Sequence, residues 1–237
     1  MKKESARDSG NINNKKERDM RRLLTFIMIL LFAVPVSAQT NSVHIDQIGS
    51  SNVIDITQAG SGNRIGSSLT PSTITGSGNA VTIVQTGATN QLDYTINGGT
   101  NTISLTYTGD GNIATLTCGG NNVTCSDATV THTITGDDNT LSTTITGTDV
   151  TNTLTITGNN NTVTTTQSSA NATQTMTLTG NSNSITASQA GSGVNTLTMS
   201  VTGDSNTYNI AQSGAVSNSL TINTTGSSNN ISVTQNN

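Results

Sequence analysis

The sequence predicts an all-β protein, a two-sheet β-solenoid of about nine coils. Three observations predict it: Gly-x-x-Asn recurs at near-constant intervals, the residues between alternate apolar and polar, and Gln returns at twice the interval. Repetition at a fixed period is the signature of stacked units, each of which buries its apolar face only against its neighbours.

The punctuation has Gly at 49, 60, 76, 87, 98, 109, 119, 136, 158, 180, 203 and 226, and with the variants at Gly147, Gly191 and Gly214 included most neighbours stand 11 or 12 apart. Variants with extra residues follow Gly147, Gly191 and Gly214, and Ser168-Ser169-Ala170-Asn171 fills the turn missing between Gly158 and Gly180. Gly and Asn tolerate the left-handed backbone of a tight turn. The runs between are rich in Thr, Val and Ile, which favour strands.

Counting by twos from the Asn gives Asn52, Ile54, Ile56, Gln58, then Asn79, Val81, Ile83, Gln85, and later Asn206, Tyr208, Ile210, Gln212. Strand side chains alternate faces, so these residues share one face, apolar with polar bookends. Gln167, Gln189, Gln212 and Gln235 stand 22 or 23 apart, and the strands between them end in an apolar residue or Thr, as in Asn195, Leu197, Met199, Val201. One coil is therefore two strands and about 22 residues, and nine coils stack to roughly 40 Å at ~4.8 Å each. An isolated buried amide is costly, but amides stacked in register both donate and accept. The expected inward ladder comprises Gln47, Asn52, Gln58, Asn79, Gln85, Asn161, Gln167, Asn183, Gln189, Asn206, Gln212, Asn229 and Gln235. Such register argues against the disorder that a scarcity of large apolar residues would otherwise imply.

Composition shifts near residue 38. Every Lys and Arg except Arg64, both Glu and both Phe lie before it. Residues 20–38 read as a secretion signal: basic Arg21 and Arg22, an apolar run over residues 23–34, and a small-residue cleavage site at Val36-Ser37-Ala38. The run is about a dozen residues, short of the roughly 20 a membrane span needs. Residues 1–19 form a charged extension ahead of Met20, either an over-extended start or a long tail on the signal. Residues 39–237 are then one exported repeat domain, secreted or at the cell surface, with no membrane span.

That domain holds nine Asp against one Arg, a net of −8. It cannot neutralise phosphates, which excludes nucleic acid as a partner, and it offers anionic lipid no basic patch. Catalysis needs a base, nucleophile or metal within reach of one another. The domain's two His, His44 and His132, are some four coils apart and are expected at outward, solvated positions. No catalytic, cofactor or metal site is expected, and the chain reads as a non-enzyme. The turn residues Asp110, Asp137, Asp138, Asp149 and Asp204 are too irregular for a calcium-binding β-roll and fit a solubilising role. Cys118 and Cys125 are the only cysteines. In an exported chain such a local pair is expected to bridge one turn, with two buried free thiols as the alternative. The stretch coincides with irregular repeat spacing, where a bridge would staple a defect in the stack.

The units resemble the curlin repeat, roughly Ser-x5-Gln-x-Gly-x-x-Asn-x5-Gln. Gln47-Ile48-Gly49-Ser50-Ser51-Asn52 followed by Gln58 is the fullest match. Gln85-Thr86-Gly87-Ala88-Thr89-Asn90 repeats the first half, and Asn-x5-Gln recurs from Asn161, Asn183, Asn206 and Asn229. The resemblance spans essentially residues 42–237. It departs where Ile96, Tyr107, Cys118 and Ile145 take the Gln slot. It implies a functional-amyloid subunit that self-associates into extracellular fibres for adhesion and biofilm matrix, served by a dedicated export and nucleation system. Residues 43–47 and 229–235 read as ordinary strands rather than caps, which predicts open-ended addition of copies. The alternative is a soluble Thr-rich solenoid that binds ice. Thr131-Thr133-Thr135, Thr153-Thr155-Thr157, Thr175-Thr177-Thr179 and Thr196-Thr198 fall on equivalent outward faces, although Thr162-Thr164-Thr166 populates the other sheet.

Overall fold

A computed structural model describes residues 40–120 and 125–237; the extension and secretion signal expected over residues 1–38 lie outside the described residues. The described chain is all β, with no helix. Two parallel sheets alternate along the sequence and stack as a β-solenoid.

The first sheet takes nine successive positions. It opens with Ser42–Val43 and Ile45–Ser50, continues with Arg64–Ile65 and Ser72–Ser77, and then adds Gln91–Asn97, Ile113–Cys118 and Thr140–Ile145. Thr162–Gln167, Ser184–Gln189, Thr207–Ser213 and Asn230–Asn236 complete it. The second sheet has eight strands, from Gln58–Ala59 to Asn218–Thr225. The stack is thus eight turns plus a ninth first-sheet strand, against the nine coils expected.

Each strand lies in register on its counterpart one coil away, as in Val163 on Leu141 and Ile185 on Val163. The inward columns form one thin core running the length of the stack: Ile65, Leu92, Leu116, Leu141, Ile185 and Tyr208 from the first sheet, Val81, Ile103, Ile134, Leu154, Leu178 and Leu197 from the second.

Register exposes where the repeat is broken. Val43 pairs with Ile65, 22 residues on, but Ile45 pairs with Ser72, 27 on, so the six residues 66–71 stand opposite the single residue His44 and bulge out as a net insertion of five. A second five-residue insertion lies between Cys118 and Ala128, since Ile96 pairs with Cys118 at 22 but Cys118 with Ile145 at 27. The turns after Gly191 and Gly214 carry one extra residue each, lengthening the last coils to 23.

The second sheet is less continuous than the first. Only Asn195–Thr202 and Asn218–Thr225 are continuous; earlier coils narrow to a single bridge and a short strand, as at Thr151 and Ile156–Thr157.

Corner glycines are demanded by stacking as well as by φ. Gly158 has φ 128°, and a Cβ there would run into the carbonyl oxygen of Gly180 in the next coil. Only a residue without a side chain lets two corners lie this close.

Candidate functional site

The chemistry of this chain is concentrated in its amide ladders, its open strand edges and its outer faces. The longest ladder follows the corner that leads from the second sheet into the first. Asn41, Asn63, Asn90, Asn112, Asn139, Asn161, Asn183, Asn206 and Asn229 occupy one inward rank, coil after coil. From Asn90 onward each Nδ2 donates to the Oδ1 of the preceding Asn, at 3.0 Å for Asn161 to Asn139 and for Asn183 to Asn161. The backbone N–H of each Asn donates to the same oxygen. The second Nδ2 hydrogen is taken by a corner carbonyl, as in Asn161 to Gly180 at 2.8 Å. The ladder has a direction: donors face the earlier coil. Asn63, Asn90, Asn112 and Asn139 were absent from the expected set because that set was counted from Asn residues followed by Gln. The Gly-x-x-Asn turn alone was the signal that would have found them.

The glutamines stack in two ladders on opposite sheets. Gln167, Gln189, Gln212 and Gln235 stack on the first sheet, each Nε2 donating to the next Oε1 at 3.0, 3.1 and 2.8 Å. Gln58 and Gln85 stack on the second sheet at 2.6 Å, and Gln85 ends against the Arg64 carbonyl at 3.4 Å. Gln167 begins its stack above the apolar Ile145, yet its Oε1 is satisfied by Asn152 Nδ2 across the core at 2.9 Å. Gln47 sits at the equivalent inward position but faces Ile74 and is exposed, so it joins no amide stack among the described residues. Asn52 and Asn79 stand in neighbouring coils on the other corner, and their buried amide atoms have no hydrogen-bond partner among the described residues. There the ladder is cut by Ala128, Val150 and Ala172, and resumes only at Asn195 and Asn218, 3.0 Å apart.

Cys118 and Cys125 are joined by a disulfide, with Cα atoms 5.1 Å apart and both residues fully buried. It spans part of the second insertion, and Cys118 lies in the inward column of Ile96 and Ile145.

His132 corrects an expectation. It is fully buried between Leu105 and Leu154 rather than outward, and Tyr107 Oη lies 3.5 Å from its Nδ1. The five-residue insertion shifts the phase of this strand, so that Ala128, Val130, His132 and Ile134 point inward and Thr129, Thr131, Thr133 and Thr135 outward. Burial lowers the His132 pKa to about 3, so the ring is neutral. Burial likewise raises the phenols of Tyr94 and Tyr107 above their ordinary value. His44 is half-buried in the first coil. Among the described residues no three His, Cys, Asp or Glu side chains converge on a metal-sized site.

The outer corner carries a second ladder of opposite direction. Asp110 Oδ1 accepts from the Ala88 N–H at 2.6 Å, Asp137 from Asp110 at 2.8 Å and Asp204 from Asn181 at 2.7 Å. These Asp residues thus tie one turn to the next while placing charge along the edge. Arg64 is held by both carboxylate oxygens of Asp93, at 3.0 and 2.9 Å, and by Gln91 at 3.0 Å.

At the two extremes of the first sheet, among the described residues, Ile45–Ser50 pairs only with Ser72–Ser77, and Asn230–Asn236 only with Thr207–Ser213. Their inward residues are matched rank by rank. The first coil offers Asn41, Val43, Ile45 and Gln47; the ninth offers Asn229, Ile231, Val233 and Gln235. Asn229 donates to Asn206, while its own Oδ1 accepts from no described residue. Comparison with known proteins adds no relative: no protein-family model, no curated protein and no solved structure matches the chain.

Proposed function

We propose that this chain is a curlin-like structural protein that polymerises by stacking its first coil on the ninth coil of another copy. The observation that carries the reading is the rank-by-rank match of Asn41, Val43, Ile45 and Gln47 with Asn229, Ile231, Val233 and Gln235. Laid on the ninth coil, Asn41 donates to the waiting Asn229 oxygen, the aliphatic columns continue, and Gln235 gains Gln47 as its next amide. Among the described residues neither strand has a partner on its outer edge, and an open edge is a template for a further strand. The second sheet fills eight levels of the stack to the first sheet's nine, so the first sheet carries the pairing at such a junction.

The product is an extracellular fibre with strands perpendicular to its axis, serving adhesion and biofilm matrix. The partners are copies of the chain, delivered by an export and nucleation system of the curlin kind. Purified protein should polymerise after a lag that preformed fibres shorten, and should diffract at ~4.7 Å. Ile45→Lys, which places a charge on the meeting face, should abolish growth while coils two to nine stay folded. A wild-type chain that remains monomeric for days at high micromolar concentration, seeded or not, refutes the proposal.

A further inference from the structure

The outward residues of the second sheet form a lattice. Over the third to eighth coils, four ranks project from this sheet, bounded by bridges at Thr129, Thr151, Thr173 and Thr196 on one side. On the other side stand Thr108, Thr135, Thr157, Thr179, Thr202 and Thr225, each paired with the next. Six residues separate the two outer ranks in every coil, so the two inner ranks align as well. Of these 24 positions, 20 are Thr, three are Ser (Ser104, Ser200, Ser219) and one is Asn223. All are exposed or half-exposed. Equivalent positions of the first sheet hold only eleven Thr, interrupted by Asp93, Ile113 and Ala190 among others. The array therefore belongs to one sheet. Its backbone is irregular at Thr106 and Thr133, with φ 143° and 104°; from Thr151 onward no position of the array has a positive φ, and its last two strands, Asn195–Thr202 and Asn218–Thr225, are continuous.

The chemistry of this face narrows its ligand. It has no Lys or Arg for an anion and no carboxylate for a cation. It has no aromatic ring on which a sugar or base could stack, because Tyr94, Tyr107 and Tyr208 all point into the core. It has no large apolar side chain for a hydrophobic partner. Carboxylates flank it at both corners, Asp110, Asp137 and Asp204 along one and Asp127 and Asp149 along the other, so a second acidic copy is repelled from it. What remains is a neutral grid of hydroxyls and methyls, repeating every ~4.8 Å between coils and ~6.7 Å along the strand, over roughly 500 Å². Thr is stiff at χ1, so the hydroxyls are held in place at little entropic cost.

We infer that the second-sheet outer face binds ice, the ligand made of hydrogen-bonding groups on a rigid two-dimensional lattice. The inference needs only the folded solenoid and is independent of fibre growth.

Full-chain protein, kept in its monomeric fraction, is tested for enrichment in a growing ice hemisphere and for shaping of single ice crystals. Wild-type protein and Thr186→Tyr, on the outer face of the first sheet, are expected to enter the ice equally. Thr177→Tyr, at the centre of the array, should fall by tenfold or more. Thr177→Val, which keeps the shape and loses the hydroxyl, should fall by severalfold with an unchanged circular dichroism spectrum. Exclusion of the wild-type chain from ice overturns the inference, as does equal behaviour of Thr177→Tyr and Thr186→Tyr. Loss of lateral association between fibres in Thr177→Tyr, with no ice binding by the wild type, reassigns the face to contact between copies.

Discussion

Truncating one rung of the asparagine ladder tests the core of this account. Asn161 is fully buried, donates to Asn139 Oδ1 and to the Gly180 carbonyl, and accepts both the backbone N–H and the Nδ2 of Asn183 at 3.0 Å. In Asn161→Ala, Asn139 Oδ1 keeps the backbone N–H of residue 161. Asn183, however, loses the acceptor for two buried donors, and Gly180 loses a donor. An unsatisfied buried group costs about 1–3 kcal/mol, so the two donors alone amount to roughly 2–6 kcal/mol. Thr162→Ala, next door and outward, should cost below about 1 kcal/mol. Urea unfolding of the monomer at low concentration, followed by circular dichroism, measures both. Because solenoid stability is a sum of nearest-neighbour terms, hydrogen exchange should place the loss in the coils around Asn161. A cost for Asn161→Ala no larger than for Thr162→Ala would refute the reasoning, since the buried amides would then be exchanging for water rather than for one another.

Gln189→Ala removes the acceptor of Gln167 and the donor of Gln212 and should cost on the order of 1–3 kcal/mol in the same assay. Replacing both Cys118 and Cys125 with Ser releases a short closed loop, for which chain entropy predicts a loss of about 2–3 kcal/mol, read as a lower urea midpoint. Gly158→Ala meets a positive φ and the Gly180 carbonyl, and should cost at least about 1–3 kcal/mol from the backbone alone. The His132 pKa is about 3 when folded and 6.5 when unfolded, so below pH 6.5 the unfolded chain binds the extra proton. Its contribution should be flat above pH 6.5 and fall by up to about 1.4 kcal/mol per pH unit as pH drops toward 3. His132→Leu should remove that part of the slope in urea titrations between pH 4 and 7.

The period, the strand character of each unit and the inward facing of Ile185, Ala187 and Gln189 were legible in the sequence, because turn chemistry and strand alternation are local. So was the local pairing of Cys118 with Cys125, as an expectation from spacing. Partnership along the stack was not, because register accumulates every insertion that precedes it. The net five-residue insertion at 66–71, the five before Ala128 and the single additions after Gly191 and Gly214 decide which amide meets which. They divide the glutamines between two sheets, join Asn63, Asn90, Asn112 and Asn139 to the unbroken ladder and turn His132 inward. They also gather the densest Thr ranks on one face. The sequence alone determined that the chain would coil in units of about 22 residues with one apolar face. Only the tertiary structure decided which side chains touch between coils, because that contact depends on the summed length of every turn and not on the residues of any one.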